Sequence, residues 1–381
     1  MRILHTSDWH LGRNLETHSL YEAQSQYLDH LVEVIKENKV DLLIVAGDVY
    51  DRAQPNAETI DLLDKGLSKL VPLTKVFITS GNHDSPQRLG FGSKFMESSG
   101  LYLRTSVSNI LNPLVIEENY ETTAIYGIPY LEPAFTIDQL CELTSTDRSH
   151  AVASHQTVMQ MATDLIRKHA SENGYTNTVV VSHAWFAGEE PITSERSLAV
   201  GGLANVSVST LKDFTYSALG HIHKPMEISQ NIHYCGTPMK FSFSEVSHTK
   251  HSLLVDIVGG NAAVKEIPTP VWREMAEIEG TLDEMLTSTA HAGLENHWIK
   301  ATLKQLEIPS HAMERLRARF PNIVKLVLPQ VDTKAGKEVD FEHLDLVEFC
   351  CDFVNFSRGE TKPVDEWEKQ MIQAATEEAK K

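Results

Sequence analysis

The sequence predicts an α/β protein: a large layered domain, then a small α+β module, then a helical C-terminal tail. Three observations lead there. Apolar, β-branched runs alternate with helical periodicity over the first eighty or so residues, the rhythm of a βαβαβ unit. Short clusters rich in Asp, Asn and His stand directly after several of those runs. At 381 residues the chain also exceeds what one hydrophobic core usually supports, and Pro268-Thr269-Pro270 offers a break with stiffened backbone.

Taken in order, Ile3 to Thr6 is a short strand, after which Leu20, Tyr27, Leu28, Leu31 and Ile35 recur at helical spacing up to Glu37-Asn38. Asp41 to Ala46 is almost wholly apolar, as a strand covered on both faces must be. Residues 57–70 form a second helix and Lys75 to Thr79 a third strand. From 98 to 140 the chain reads as strand-like pieces such as Thr123 to Ile128. Val158, Met159, Ala162, Leu165, Ile166 and His169 mark an amphipathic helix that stops near Gly174. Later strands lie at 179–181, 216–219, 232–235 and 253–258, the last turning at Gly259-Gly260-Asn261. Past the Pro break, strands at 274–279, 298–303 and 323–327 alternate with helices near Leu282 and over Ala312 to Arg319. The segment from about 340 reads as two helices separated by Ser357-Arg358-Gly359 and Pro363. The expected domains are therefore 1–267, 268–335 and 336–381.

The composition is that of an ordinary soluble globular protein, 41% hydrophobic and 23% charged. No run is long enough to cross a bilayer, which takes about 18 apolar residues, and the N-terminus shows no cleavable signal pattern, so a cytoplasmic protein is expected. Cys141, Cys235, Cys350 and Cys351 show no metal-binding spacing and are expected as unpaired thiols. The formal net charge of −18 argues against nucleic-acid binding through a broadly basic surface. Part of that charge sits in Asp8, Asp48, Asp51 and Asp84, inside the polar clusters. A nucleic-acid role then needs local basic residues or a partner chain.

The clusters are Asp8-Trp9-His10, Gly47-Asp48-Val49-Tyr50-Asp51-Arg52, Gly81-Asn82-His83-Asp84 and Gly220-His221-Ile222-His223, with His183 after an apolar run of its own. In layered α/β domains ligands gather where the strands end, because the loops there converge. The clusters supply seven oxygen and imidazole ligands, an inventory for two metal ions. Asp8, His10, Asp48 and His223 would hold one ion, and Asp48, Asn82, His183 and His221 the other. Asp48 is the bridge, since its strand runs between those that deliver Asp8 and Asn82. Alternate residues on a strand face opposite ways, so His221 and His223 reach one site only from an irregular strand end. Mixed carboxylate, carboxamide and imidazole ligands suit manganese, iron or zinc. A metal pair makes hydroxide available near neutral pH and offsets the charge of a phosphate. His83 is then left to stabilise or protonate at the scissile phosphate, with the Asp51 or Asp84 carboxylate holding its other proton.

These clusters resemble the calcineurin-like metallophosphoesterase superfamily, whose pattern runs D-x-H, G-D-x-x-D/H, G-N-H-D/E, a later H and G-H-x-H. The opening Met1 to Gly12, and Ala218 to Pro225 followed by Tyr234 to Pro238, are similar to its bacterial DNA-nuclease branch. The resemblance implies a β-sandwich flanked by helices, two divalent ions, most often Mn²⁺, and 3′-to-5′ exonuclease and endonuclease action on DNA ends and hairpins. It implies a homodimer working with an SMC-like ATPase of the SbcC type. The module after Pro270 would cap the DNA, and the tail helices would dock on that ATPase. Relatives outside the bacteria usually carry His at the position of Asp51. An ionised Asp cannot donate a proton, so orienting His83 is the role expected here.

Taken singly, each residue has a plainer reading: an Asp before a turn is commonly a cap, and a Gly-Asn-His a surface turn. Their conjunction, each at a strand end, outweighs that. His5 and His233 read as packed, and His150, His155, His248 and His251 as solvent-facing. Arg13, Arg52, Arg88 and Lys224 are the basic residues placed to touch a DNA backbone. Three other readings share the core: a protein phosphatase, suggested by Gly47 to Arg52; a small-molecule or cyclic-nucleotide phosphodiesterase; and a non-catalytic scaffold, whose mark would be missing ligands.

Overall fold

The structure, a computed structural model, describes residues 1–118, 120–186, 205–305, 308–329, 345–358 and 363–378, in one unit over Met1–Leu328 and a second over Pro329–Lys381. The first begins with β1 (Arg2–Thr6), the short ladder β2 (Asn14–Leu15) and β3 (His18–Ser19), α1 (Tyr21–Asn38), β4 (Leu42–Ala46), α2 (Ala57–Leu70) and β5 (Lys75–Thr79). This is the expected βαβαβ rhythm, and the larger elements start and stop within a residue of their predicted bounds. There follow α3 (Pro86–Leu89), α4 (Ser93–Met96), β6 (Leu101–Arg104), β7 (Leu114–Glu118), β8 (Glu121–Ile128), α5 (Pro133–Thr144), α6 (His155–Glu172), β9 (Asn177–His183), β10 (Tyr216–Gly220), β11 (Met226–Ser229), β12 (Ile232–Tyr234), β13 (His251–Val258) and β14 (Asn261–Pro268).

Two six-stranded sheets, ordered β14-β13-β1-β4-β5-β6 and β11-β12-β10-β9-β8-β7, make the sandwich. Strand alternation explains its layers. Leu42, Ile44 and Ala46 of β4 join Val179 and Val181 of β9 in the core between the sheets, while Leu43 and Val45 face the core shared with α1 and α2. On the other sheet, Val180 packs with Ile137 and Leu140 of α5 and Val158, Ala162 and Ile166 of α6. Each fully buried side chain of this size contributes about 1.5–3 kcal/mol. Covering on both faces is why β4 is apolar throughout.

Two expectations need correction here. Residues 133–140 belong to helix α5: Pro133 presets the first helical turn, and Ile137, Leu140 and Cys141 bury one helical face. His251 is buried, 9% exposed, with Nδ1 3.6 Å from Glu266. His5 is packed as expected, bonded through Nδ1 to the Tyr216 hydroxyl at 3.0 Å. The four cysteines are unpaired.

After Pro270 come β15 (Met275–Gly280), α7 (Leu282–Thr287), β16 (Trp298–Leu303), α8 (Ala312–Arg319) and β17 (Ile323–Val327). The three strands pair in parallel in chain order, with helices between them closing a separate core of Ile278, Met285, Ile299, Leu316 and Phe320. A reciprocal cap of Thr281 and Glu284 starts α7. The expected 335/336 domain boundary and Gly359 lie outside the described residues. The second unit contains α9 (Leu346–Ser357) and α10 (Glu366–Glu378). No described helix is long and apolar enough to cross a membrane.

Candidate metal centre

Strands β1, β4 and β5 are parallel neighbours in one sheet, and β9 and β10 are parallel neighbours in the other, so five carboxyl ends open at one edge of the sandwich. The chain turns there sharply. Asp8, His10, Asp48 and His221 all adopt left-handed backbone, with φ of 52°, 43°, 47° and 100°. For residues with a Cβ such conformations cost on the order of 1–3 kcal/mol each and persist only where surroundings enforce them. Main-chain bonds do so: His10 N–H donates to Asp48 O at 2.9 Å and Leu11 N–H to Val49 O at 2.9 Å. The glycines before the ligands are steric requirements. A Cβ on Gly220 would stand 1.8 Å from Ala46 O, and one on Gly81 2.1 Å from Asp48 Oδ1.

The structure brings all seven expected ligands together. Ligand atoms of Asp8, His10 and His223 lie within 4.8 Å of one another, as do those of Asp8, Asp48 and His183. His10 Nε2 is 3.2 Å from His223 Nε2. Across the site, Asn82 Oδ1 is 3.0 Å from His183 Nε2 and 2.9 Å from His221 Nδ1. Between the two groups Asp48 Oδ2 stands 3.5 Å from His10 Nε2 and 3.4 Å from His183 Nε2. His221 and His223 follow the end of β10, in irregular chain as their spacing requires.

The donor set fits divalent metal. Asp8 Oδ2 is buried with no hydrogen-bond partner, and two buried imidazole nitrogens face each other, arrangements that protein groups alone leave unsatisfied. Burial works against the charge of Asp48, yet His183, His10 and His83 hold its carboxyl well below the usual range. Burial also opposes protonation of His183, but the adjacent Asp48 carboxylate raises it to about 9. His221 is pushed down to about 3, by burial and then by His183.

His83, Asp51 and Asp84 reach the site differently from expectation. His83 Nδ1 bonds the main-chain oxygen of Asp51 at 2.8 Å, so a neutral carbonyl, and neither carboxylate, holds it. The Asp51 carboxylate turns instead to His10 Nδ1 at 3.4 Å and to Arg13 at 2.9 Å. Asp84 is buried and accepts three main-chain amides, Tyr50 and Gly81 at 2.9 Å and Val49 at 3.1 Å, which makes it a tie between two loops. Among the basic residues, Arg88 donates to Ala53 O at 3.1 Å, and the Arg52 side chain is 81% exposed. Lys224 is half-buried.

Three residues of the centre had no signal in the sequence. Tyr130 stacks on the His221 ring, with centroids 6.3 Å apart and planes at 26°. Glu245 and Lys250, both buried, pair at 2.7 Å beside His223. Despite its burial, Glu245 is held down to about 2 by His223 and Lys250. Nothing in an isolated Glu or Lys forecasts burial.

Comparison with known proteins adds the family. The SbcD subunit of the nuclease SbcCD from Staphylococcus saprophyticus is 29% identical over 392 residues, covering 100% of both chains. Among solved structures, TT1561 of Thermus thermophilus covers 70% of this chain and 98% of its own at 10% identity and a TM-score of 0.39. A dimetal phosphatase from Danio rerio covers 71% and 97% at 13% identity and the same TM-score of 0.39. A family model for the Type 5 capsule protein repressor C-terminal domain matches residues 271–352. The model for calcineurin-like phosphoesterases matches residues 1–225, a span that holds both sheets' site-bearing strand ends and all seven candidate ligands. By that match this chain belongs to the calcineurin-like phosphoesterase family, enzymes that hydrolyse phosphoesters with divalent metal.

Proposed function

We propose that the chain is the nuclease subunit of an SbcCD-type complex, cutting DNA phosphodiesters as a 3′-to-5′ exonuclease on duplex ends and an endonuclease on hairpins. It would serve DNA end processing in repair, recombination and replication. The observation that carries this is the end-to-end likeness to an SbcD nuclease chain, which extends through the module after Pro270 and the tail. A small-molecule phosphodiesterase would share the metal centre but has no evident use for those parts.

Two divalent ions, Mn²⁺ by the family resemblance, would be held by Asp8, His10, Asp48 and His223 and by Asp48, Asn82, His183 and His221. When bound they supply the Lewis acidity that makes hydroxide available near neutral pH and offsets phosphate charge. The chain does the rest. With Nδ1 committed to Asp51 O, His83 has Nε2 left to meet a phosphate or leaving oxygen. Asp51 fixes His10, and Asp84 fixes the loops that carry Asp48 and Asn82. Arg52, and with it Arg13, Arg88 and Lys224, borders the site where a DNA backbone would lie.

The partner reading is a homodimer joined to an SbcC-like ATPase. Phe91 and Phe95 are 81% and 85% exposed, an apolar pair suited to a second copy. On the tail, Phe353 and Trp367 are 64% and 68% exposed and would meet the ATPase. An ATPase with basic surface also reconciles an acidic subunit with a DNA substrate. Action beside DNA in the cytoplasm, at the nucleoid, follows from the same reading.

The test is incubation of the purified protein with end-labelled duplex and hairpin DNA, with and without Mn²⁺. Metal-dependent cutting is expected, and His83→Ala should lower it about 10²–10⁴-fold while metal binding is kept. Turnover confined to small phosphodiesters would sink the nuclease reading.

A further inference from the structure

Two imidazoles of the centre, those of His10 and His223, are backed in the same way. Each has a carboxylate on its Nδ1 side, Asp51 at 3.4 Å for His10 and Glu245 at 3.5 Å for His223. His183 directs Nδ1 to a neutral acceptor, Ala46 O at 2.9 Å, with the Asp8 carboxylate farther off at 4.0 Å.

Glu245 ends a short helical turn, Phe243–Glu245, and its side chain is wholly buried. Lys250 Nζ donates to its Oε2 at 2.7 Å and Thr237 Oγ1 at 3.2 Å. Its Oε1 has no hydrogen-bond donor, and it is this oxygen that faces His223 Nδ1. The same network grips the ligand's backbone. Lys250 Nζ donates to His223 O at 2.8 Å, and Thr237 N–H donates to that oxygen at 3.1 Å. Ring and main chain of one ligand are thus held by one buried ion pair.

Stability alone gives little reason for such a pair, since well-packed apolar residues of similar volume are often as stable or more so. Positioning does give one. A buried anionic oxygen needs a donor. If His223 supplies it from Nδ1–H, the ring is fixed in the tautomer that leaves the Nε2 lone pair to a metal.

We propose that Glu245, braced by Lys250, is a positioning residue that orients His223 and sets its tautomer as a metal ligand. The inference rests on the two-metal reading above. Its effect should fall on the ion that Asp8, His10, Asp48 and His223 would hold, because the pair reaches the centre through the ring and main-chain oxygen of His223.

The experiment titrates the full-length, metal-free protein with Co²⁺, followed by visible absorption and calorimetry, which read affinity without turnover. Wild type should take up two ions. Glu245→Leu combined with Lys250→Leu removes both charges together and leaves neither unpaired. One Co²⁺ should then bind about 10–100-fold more weakly and the other unchanged. Glu245→Gln keeps the shape and a neutral acceptor, so the same ion should weaken only a few-fold. Thermal melts establish that each variant is folded. Wild-type affinity for both ions in the folded leucine pair overturns the proposal, and if that pair does not fold, wild-type affinity in Glu245→Gln does so. Wild-type protein that takes up no Co²⁺ removes the metal reading itself, and the positioning role with it.

Discussion

Replacing Asp84 tests whether the last residue of Gly81-Asn82-His83-Asp84 acts on substrate or builds the site. Its Oδ2 accepts from Val49 and Gly81 and its Oδ1 from Tyr50, at 2.9–3.1 Å, in a position only 5% exposed. Asp84→Ala strands three buried amides. Each unsatisfied donor costs about 1–3 kcal/mol, so a loss of roughly 3–6 kcal/mol is expected even if water enters to serve some of them. Asp84→Asn keeps an oxygen for two amides and sets an NH₂ against the third, so about 1–3 kcal/mol is expected. Urea unfolding followed by circular dichroism measures both, and Co²⁺ titration should show both ions weakened, because these amides hold the loops of Asp48 and Asn82. A pH arm sharpens the test. Burial and then the Asp48 charge raise Asp84 from the ordinary 3.8 to about 7. A carboxyl raised on folding stabilises while protonated, so the metal-free protein should lose stability through this group as pH climbs from 3.8 towards 7. The Asn variant, which cannot ionise, should show a flatter slope. Wild-type stability and metal affinity in Asp84→Ala, with turnover lost more than a hundredfold, would place Asp84 in the chemistry and refute this account.

Asp51→Asn should weaken one metal ion about tenfold, together with turnover, because the Asp51 carboxylate faces His10 and not His83. Calorimetry showing full metal affinity beside impaired turnover would restore the direct role in catalysis. Metal uptake should release a proton near pH 7.5, since His183 is held protonated up to about 9 in the metal-free protein and must lose that proton to bind. Affinity should therefore rise with pH and level off above about 9. His221, at about 3, contributes no proton. Titration in buffers of different ionisation enthalpy counts the protons, and an affinity flat from pH 6 to 9 would contradict this.

The seven candidate ligands could be picked out because each is tied to a strand end, and parallel neighbours bring strand ends together whatever their distance along the chain. Asp48 could be singled out as the shared carboxylate for the same reason: β4 lies between β1 and β5. What the sequence hid depends on which atom of a residue acts. Asp51 was expected near His83 and is there, but its carbonyl makes the contact while its carboxylate serves His10. No residue type announces its main-chain oxygen. Asp84 was expected at the His83 ring, but its carboxylate takes main-chain amides, and a carboxylate that binds amides looks, in sequence, like one that binds protons. Helix α5 was read as extended chain because its apolar residues lie on both faces, Ile137, Leu140 and Cys141 buried but Phe135 and Leu143 exposed, which blurs the helical period. Glu245 and Lys250 depend on a fold-level accident, the passage of 237–250 behind His223, that no local pattern encodes.

The two halves of the centre are therefore built to different rules. Asn82, His183 and His221 bring no carboxylate of their own, and His183 is steadied by a backbone carbonyl, so that half takes its negative charge from the shared Asp48 and from Asp8, 4.0 Å from His183 Nδ1. Asp8, His10 and His223 bring a carboxylate of their own, and two more carboxylates, Asp51 and Glu245, stand behind their imidazoles. Arg13 and Lys250 partly offset those two, which keeps the pocket from being so anionic that it repels phosphate. An ion in this half sees more negative charge and more basic imidazoles and should bind first and leave last. The half with fewer charges is then the one whose ion is more exchangeable and more strongly electron-withdrawing towards a phosphate. His83 lies on the strongly held side, within 4.8 Å of ligand atoms of His10 and Asp48. The residue proposed to act on the phosphate is thus braced by the part of the site least disturbed when the second ion comes and goes.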